Sequence, residues 1–296
     1  MTSLNTLPSI AVLLAAYNAG NWLDEQITSI LNQQNVSVDV FISVDLSSDD
    51  TYEYCKELEK EHSNISVLEY GERFGGAAKN FFRLIRDVDF SGYDFVAFSD
   101  HDDIWLGNKL SHACEVITSN KLDAYSSDVI AFWPDGREKL VKKSYPKKQF
   151  DYVFEAAGPG CSYVIKSDAL QIFKDFLNKN WTKVNQVALH DWMIYAFCRS
   201  NDMQWHIDDL PLMCYRQHAS NQVGFNSGLK AYSKRISMVK DKWYRTEVEK
   251  IISLVDVNSD SSFRLKRWYL IKNFWQLRRR PRDAFALLTM LIIGVF

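Results

Sequence analysis

The sequence predicts an α/β protein built on a mostly parallel, doubly wound sheet flanked by helices. Two observations carry that prediction. Apolar strand patterns alternate with amphipathic helix patterns through the first hundred residues, the order that right-handed β-α-β crossovers produce. The fourth strand pattern, Phe95–Phe98, runs directly into Ser99-Asp100-His101-Asp102-Asp103-Ile104-Trp105. Three carboxylates and an imidazole at a strand's carboxyl end stand where open α/β sheets bind ligands.

The elements follow in order. Ile10–Ala16 is an unbroken apolar run, the mark of a strand buried on both faces. Trp22, Gln26, Ile30 and Gln33 mark a helix that buries Leu23, Ile27, Ile30 and Leu31. Val38–Val44 is a second strand with partial alternation. Thr51–Glu61 is a charged helix with Tyr54, Cys55 and Leu58 inward, and Asp49 or Asp50 is suited to cap it. Ile65–Leu68 is a short third strand, and Ala77–Val88 a helix with Phe81, Leu84, Ile85 and Val88 at helical spacing. A helix over Lys109–Ser119 follows the acids, then short strands and loops to about Gly160. Asp168–Leu177 and Trp192–Arg199 read as helices. The first domain is expected over 1–228, and 229–296 as a basic, Trp-rich helical extension with Trp243, Trp268 and Trp275.

Composition narrows the class. A chain of 296 residues with 47% hydrophobic and 14% aromatic residues can build a core, which excludes a disordered protein. The five cysteines are scattered and form no CxxC pair, so neither a disulfide framework nor a structural zinc site is expected, and a reducing cytosol fits. Met1–Ser9 carries no positive charge and does not read as a signal peptide. The net charge of −2 conceals a division: residues 230–283 sum to +9 and the preceding 229 residues to −11. A basic tail on an acidic body points to an anionic partner or to a solvated helix face.

Polar loops close several strands on one edge. They are Ala16-Tyr17-Asn18-Ala19-Gly20, Asp45-Leu46-Ser47-Ser48-Asp49-Asp50-Thr51, and Glu72-Arg73-Phe74-Gly75-Gly76-Ala77-Ala78-Lys79-Asn80. Together with Asp100–Asp103 they make a cleft. Neither GxGxxG nor a phosphate loop is present, so a nucleotide would be read by side chains and a metal. Closely set carboxylates repel one another, and Mg²⁺ or Mn²⁺ with oxygen ligands is the natural counter-ion. The alternative is an acidic turn at the start of the next helix.

These motifs, continued by Gly158-Pro159-Gly160-Cys161, His190-Asp191-Trp192 and Tyr215-Arg216-Gln217-His218-Ala219-Ser220-Asn221, resemble the family 2 glycosyltransferases of GT-A fold, in the rhamnosyltransferase-like bacterial branch. The resemblance runs from about residue 9 to 225. It implies that Asp45 faces the nucleotide base with Tyr17 and Asn18 beside it. Gly75, Gly76, Lys79 and Asn80 would lie near the ribose and sugar. Asp100 and Asp102 would fill the DxD motif that holds Mg²⁺ or Mn²⁺ on the diphosphate, Asp100 also touching the nucleotide-sugar. Asp191 would be the general base and His218 a further metal ligand or a diphosphate contact. Val44, Leu46 and His101 depart from the commonest family residues.

The implied function is inverting transfer of a sugar from dTDP-rhamnose or a UDP-sugar to a glycan or lipid-linked glycan acceptor in bacterial surface-polysaccharide synthesis. A carboxylate taking the acceptor's proton and a cation on the departing diphosphate would suffice for it. Asp191 also reads as a helix N-cap. A metal-dependent phosphohydrolase and a non-enzymatic adaptor are the competing readings. No nucleic-acid partner is expected. Lys266, Arg267, Lys272, Arg278, Arg279, Arg280 and Arg282 precede the apolar Ala284–Phe296, whose 13 residues fall short of the roughly 20 a bilayer span needs. Peripheral attachment to the cytoplasmic face of the inner membrane is expected, against packing on the body or an oligomer contact.

Overall fold

The computed structural model describes residues 6–218, 242–255 and 263–296. Its elements alternate as expected at the start: β1 (Ser9–Ala16), α1 (Leu23–Leu31), β2 (Ser37–Val44), α2 (Thr51–Glu61), β3 (Ile65–Val67), α3 (Ala77–Asp87) and β4 (Phe95–Asp100). Then come β5 (Ile104–Trp105), α4 (Lys109–Ser119), β6 (Ala124–Ser127), β7 (Val129–Phe132), β8 (Glu138–Val141) and α5 (Asp151–Phe154). After them come β9 (Val164–Lys166), α6 (Ser167–Lys179), α7 (Trp181–Val184), α8 (His190–Ser200), β10 (Trp205–Asp208) and β11 (Met213–Arg216). The C-terminal part holds α9 (Trp243–Leu254), α10 (Arg267–Lys272) and α11 (Pro281–Ile293).

Among the described residues one sheet runs β10-β6-β9-β4-β1-β2-β3 and a smaller one β5-β11-β7-β8. Strands β3, β2, β1 and β4 are parallel, whereas β9 runs antiparallel to both β4 and β6. The continuous apolar character of β1 has its cause here. Ile10, Val12, Leu14 and Ala16 pack toward residues of α1, α2 and α4, while Ala11, Leu13 and Ala15 pack toward α3, α6 and α8. Strand β4 extends two residues beyond the expected Phe98, and its register sets Asp100 opposite Ala15. The first acid is therefore a strand residue, fixed by sheet hydrogen bonds.

The C-terminal helices share the first core, since Val248, Ile251, Leu270, Leu287 and Leu291 pack with α3, α6 and α8. The expected boundary at 228 and the motif residues Ala219, Ser220 and Asn221 lie outside the described residues. Two of the expected lipid-facing arginines turn inward. Arg279, 3% exposed, donates to Asp151 Oδ2 (2.9 Å) and to the carbonyls of Ala156 (2.6 Å) and Ala157 (3.1 Å). Arg278 donates to Phe154 O (2.9 Å) and Tyr244 Oη (2.8 Å). Each guanidinium has five donors, and here carboxylate, carbonyl and hydroxyl oxygens take those on the terminal nitrogens Nη1 and, in Arg279, Nη2. Asp151 also accepts from Tyr195 Oη (2.9 Å) and Arg199 Nη1 (3.0 Å), so it ties α5, α8 and the C-terminal segment together.

Candidate active site

The carboxyl ends of β1, β2 and β4, the loop before α3 and the start of α8 surround a cleft of about 1120 Å³. At its first end Tyr17 is exposed on the rim and Asn18 adopts a left-handed φ of 46°. Asn18 Oδ1 accepts the Ser48 amide (2.8 Å), which joins the first two strand-end loops. Asp45 lines the cleft, but its oxygens already accept the amides of Leu46 (2.8 Å), Phe74 (2.8 Å) and Gly75 (2.9 Å). It builds the wall by fixing the glycine turn, where Gly75 has φ 73°. Gly76 lines the cleft, as does Asn80, whose amide is spent inside the fold: Nδ2 donates to Ser43 O (2.9 Å) and Oδ1 accepts from Ser43 Oγ. Lys79 departs from expectation. It is exposed on α3 and absent from the cleft wall, because one helical step turns it about 100° from the inward face of Asn80.

The acidic loop forms the floor. Asp100, Asp102 and His218 all line the cleft, and Asp102 Oδ2 lies 2.7 Å from His218 Nε2. Trp22 stacks on the His218 ring at 4.1 Å, a contact the helix pattern around Trp22 did not foretell. Arg216 clamps the loop from β11: Nε donates to Asp102 O (2.8 Å), its amide to Asp103 Oδ1 (3.1 Å), and Nη2 to Glu25. Burial, with Asp102 and Asp191 nearby, pushes the Asp100 carboxyl up to about 7. Burial and then Asp102 push Asp103 well above the usual carboxylate range.

Such mutual desolvation is what a divalent cation relieves, so the residues fit one. Oxygens of Asp100 and Asp103 and the Cys161 sulfur come within 4.8 Å of one another. Burial raises the Cys161 thiol, keeping it protonated, and neither Cys161 nor Asp103 reaches the cleft wall. Asp100, Asp102 and His218 offer oxygen and imidazole donors to the cleft, which the His101 ring also lines, with its Nδ1 3.3 Å from Ala15 O. Lys109 is buried behind this cluster, 3.6 Å over the Trp105 ring, and burial lowers it to about 7.

Another wall is built on α8, which starts at His190, two residues before the sequence pattern indicates. Leu189 occupies the N-cap position and no side chain caps the helix, so Asp191 is a first-turn acid and not a cap. Asp191 Oδ1 accepts the Trp192 amide at 2.7 Å. Burial pushes its carboxyl up to about 6, opposed by that amide and by the Lys143 ammonium. His190 stacks on Phe81 at 4.0 Å, and burial lowers its imidazole to about 3, so it is neutral. Glu155 also lines this wall, but Oε1 accepts the Arg279 amide (2.5 Å) and Oε2 lies 3.5 Å from Arg278 Nε. Trp192, Trp243, Tyr244, Lys143 and Arg278 complete the wall. The sequence pointed to none of these five as site residues.

Comparisons with known proteins agree with this architecture. The family model for Glycosyl transferase family 2 matches residues 11–183. The chain is 45% identical over 289 residues to the dTDP-rhamnosyl transferase RfbG of Shigella flexneri, covering 96% of this chain and 100% of that one. It is 30% identical over 115 residues to the UDP-Glc:alpha-D-GlcNAc-diphosphoundecaprenol beta-1,3-glucosyltransferase WfgD of Escherichia coli, covering 38% of this chain and 42% of that one. Among solved structures, S. aureus TarS 1–349 in complex with UDP-GlcNAc shares the fold, with a TM-score of 0.56 at 14% identity over 97% of this chain and 88% of that one. The chain belongs to glycosyl transferase family 2, as a rhamnosyltransferase-like glycosyltransferase of GT-A fold.

Proposed function

We propose that the protein transfers rhamnose from dTDP-rhamnose, with inversion at the anomeric carbon, to a glycan acceptor of surface-polysaccharide synthesis. The observation that carries the reading is the presence of Asp191 and the Asp100–Asp102–His218 group on the walls of one cleft. Extensive identity to a dTDP-rhamnosyl transferase supports the donor. Asp100, Asp102 and His218 would hold Mg²⁺ or Mn²⁺, which when bound supplies positive charge to the departing diphosphate. Asp45 and Asn18 keep the donor walls in place through the loops they join.

Asp191 takes the proton of the acceptor hydroxyl as that oxygen attacks the anomeric carbon. The bond to the diphosphate oxygen breaks in the same step, and the proton then passes from Asp191 to water. A carboxyl near 6 is ionised at neutral pH yet a stronger base than an ordinary aspartate. Glu155 is held by two arginines, which leaves Asp191 as the acceptor-side base and supports a single displacement. Purified protein incubated with dTDP-rhamnose or UDP-sugars, with each cation, tests the donor assignment. Transfer from dTDP-rhamnose at least about tenfold faster than from any UDP-sugar is expected, and preference for a UDP-sugar would overturn it.

Attachment to an anionic leaflet belongs to the same reading, through a different surface from the arginine run. Trp268 is 81% exposed, and Phe285, Ile292, Ile293, Lys266, Lys272 and Arg282 are exposed on or next to the same two helices, α10 and α11. Arg267 ties α10 to the end of α11 by donating to Leu291 O (2.6 Å) and Ile292 O. Among the described residues no helix is long and apolar enough to cross a membrane. Aromatic and aliphatic side chains flanked by lysine and arginine suit an interfacial position. Trp268→Ser with Phe285→Ser should weaken sedimentation with anionic liposomes; unchanged sedimentation would exclude this face.

A further inference from the structure

Helix α9 is fastened to the chain segment that leads into Asp191. Glu247, buried, accepts the Ala188 amide on Oε2 (2.9 Å), and Lys250 Nζ donates to Gln186 O (2.8 Å). Trp243 opens this helix four positions before Glu247, so the two side chains share a helix face. The Glu247 bond turns that face toward the approach to α8, and Trp243 lines the cleft with Ala188, Leu189 and Asp191. The neighbouring aromatics are committed to the fold. Trp192 Nε1 donates to Tyr152 O (3.0 Å), Tyr244 Oη donates to Phe154 O (2.6 Å), and their rings lie 5.9 Å apart, 25° from parallel. Trp243 differs from both: it is half-buried, and among the described residues its indole makes no hydrogen bond and no ring contact.

We propose that Trp243 is the platform for the acceptor's sugar ring, so that the cleft selects a pyranose whose C–H face lies on the indole. The inference rests on the functional reading above for Asp191 as the base. A base must come within hydrogen-bond reach of the hydroxyl it deprotonates, which brings the acceptor ring to the wall that Asp191 and Trp243 share. A pyranose carries its hydroxyls around the rim and C–H groups on its faces. An indole that covers one face buries apolar surface on both partners and leaves a rim hydroxyl free to meet Asp191. The indole N–H is also available to donate to a rim oxygen. An acyclic polyol has no flat C–H face and recovers less of that burial.

The test is steady-state transfer by the full-length protein from dTDP-rhamnose with Mg²⁺. The acceptors are ribitol and the methyl glycosides of D-glucose, D-galactose, N-acetyl-D-glucosamine and L-rhamnose. The best glycoside should exceed ribitol at least about tenfold in kcat/KM. Trp243→Ala should lower kcat/KM for that glycoside at least about tenfold, mainly through KM, and Trp243→Phe should stay within about threefold of wild type. The calorimetric Kd for dTDP should stay within about twofold in both variants. Ribitol matching the best glycoside, or no transfer to any of the five by wild type that binds dTDP, would overturn the proposal. So would an unchanged Trp243→Ala, or a Trp243→Phe as impaired as it, since the aromatic face would then not be what is used. A fall in kcat at constant KM, or a parallel loss of dTDP affinity, would make Trp243 a support of Asp191 or of the fold and overturn it too. Where a UDP-sugar proves to be the donor, the same ratios hold with that sugar, and the donor assignment alone fails.

Discussion

Gly160 lies against the His190 ring so closely that a Cβ on residue 160 would stand 2.4 Å from Nε2 and 3.3 Å from the Cβ of Asp191. The ring is itself packed in place, stacked on Phe81 at 4.0 Å. This contact locks the first turn of α8, and with it the carboxylate proposed as the base. Gly160→Ala should therefore lower kcat by about 10- to 100-fold, since small displacements of a reacting group are costly, with about 1–3 kcal/mol lost in stability. Steady-state kinetics and thermal unfolding check this; wild-type kcat would show that the base is not held by this contact.

The rate should depend on pH through Asp191. Its carboxyl is raised to about 6 and acts only when ionised, so kcat/KM should fall about tenfold per pH unit below 6 and level off above it. A limb near 4 would place an ordinary, solvated carboxylate in the rate law.

Donor and cation should stabilise the protein together. At about one hundred times Kd a ligand adds about 2.7 kcal/mol, so dTDP with Mn²⁺ should raise Tm by several degrees. Asp102→Asn should lose most of that rise, and so should wild type in excess EDTA. An undiminished rise in either case would remove the cation from the donor site.

Arg279→Met tests the inward turn of the C-terminal segment. Removing one partner of a buried ion pair costs about 3–5 kcal/mol, and the low end is expected because Arg199 still contacts Asp151. Chemical denaturation should report a loss near 3 kcal/mol, and deletion of 278–296 should destabilise the body instead of sparing it. A loss below about 0.5 kcal/mol would indicate an exposed arginine.

Much of this was legible because buried parallel strands write themselves as apolar runs. Ile10–Ala16 and the strand leading to Asp100 were read that way, and both have both faces covered. The sequence pattern places the start of α8 two residues late because Leu189 supplies no capping side chain to mark it. The smaller sheet left no periodic signal, its strands being two to four residues long. Arg278 and Arg279 resembled a lipid-facing cluster because local charge does not disclose a partner such as Asp151, 128 positions away. Lys143 lacked any motif, since it acquires meaning only where the chain folds it beside Asp191.

The proposed mechanism divides the labour in one cleft, with the donor at the Asp100–Asp102–His218 group and proton removal at Asp191. Asp191→Asn tests it most directly, through donor Kd and kcat measured on the same preparation. A Kd within about threefold of wild type and a turnover lower by about 10² or more are expected. Unchanged turnover, or a parallel loss of donor affinity, would contradict it.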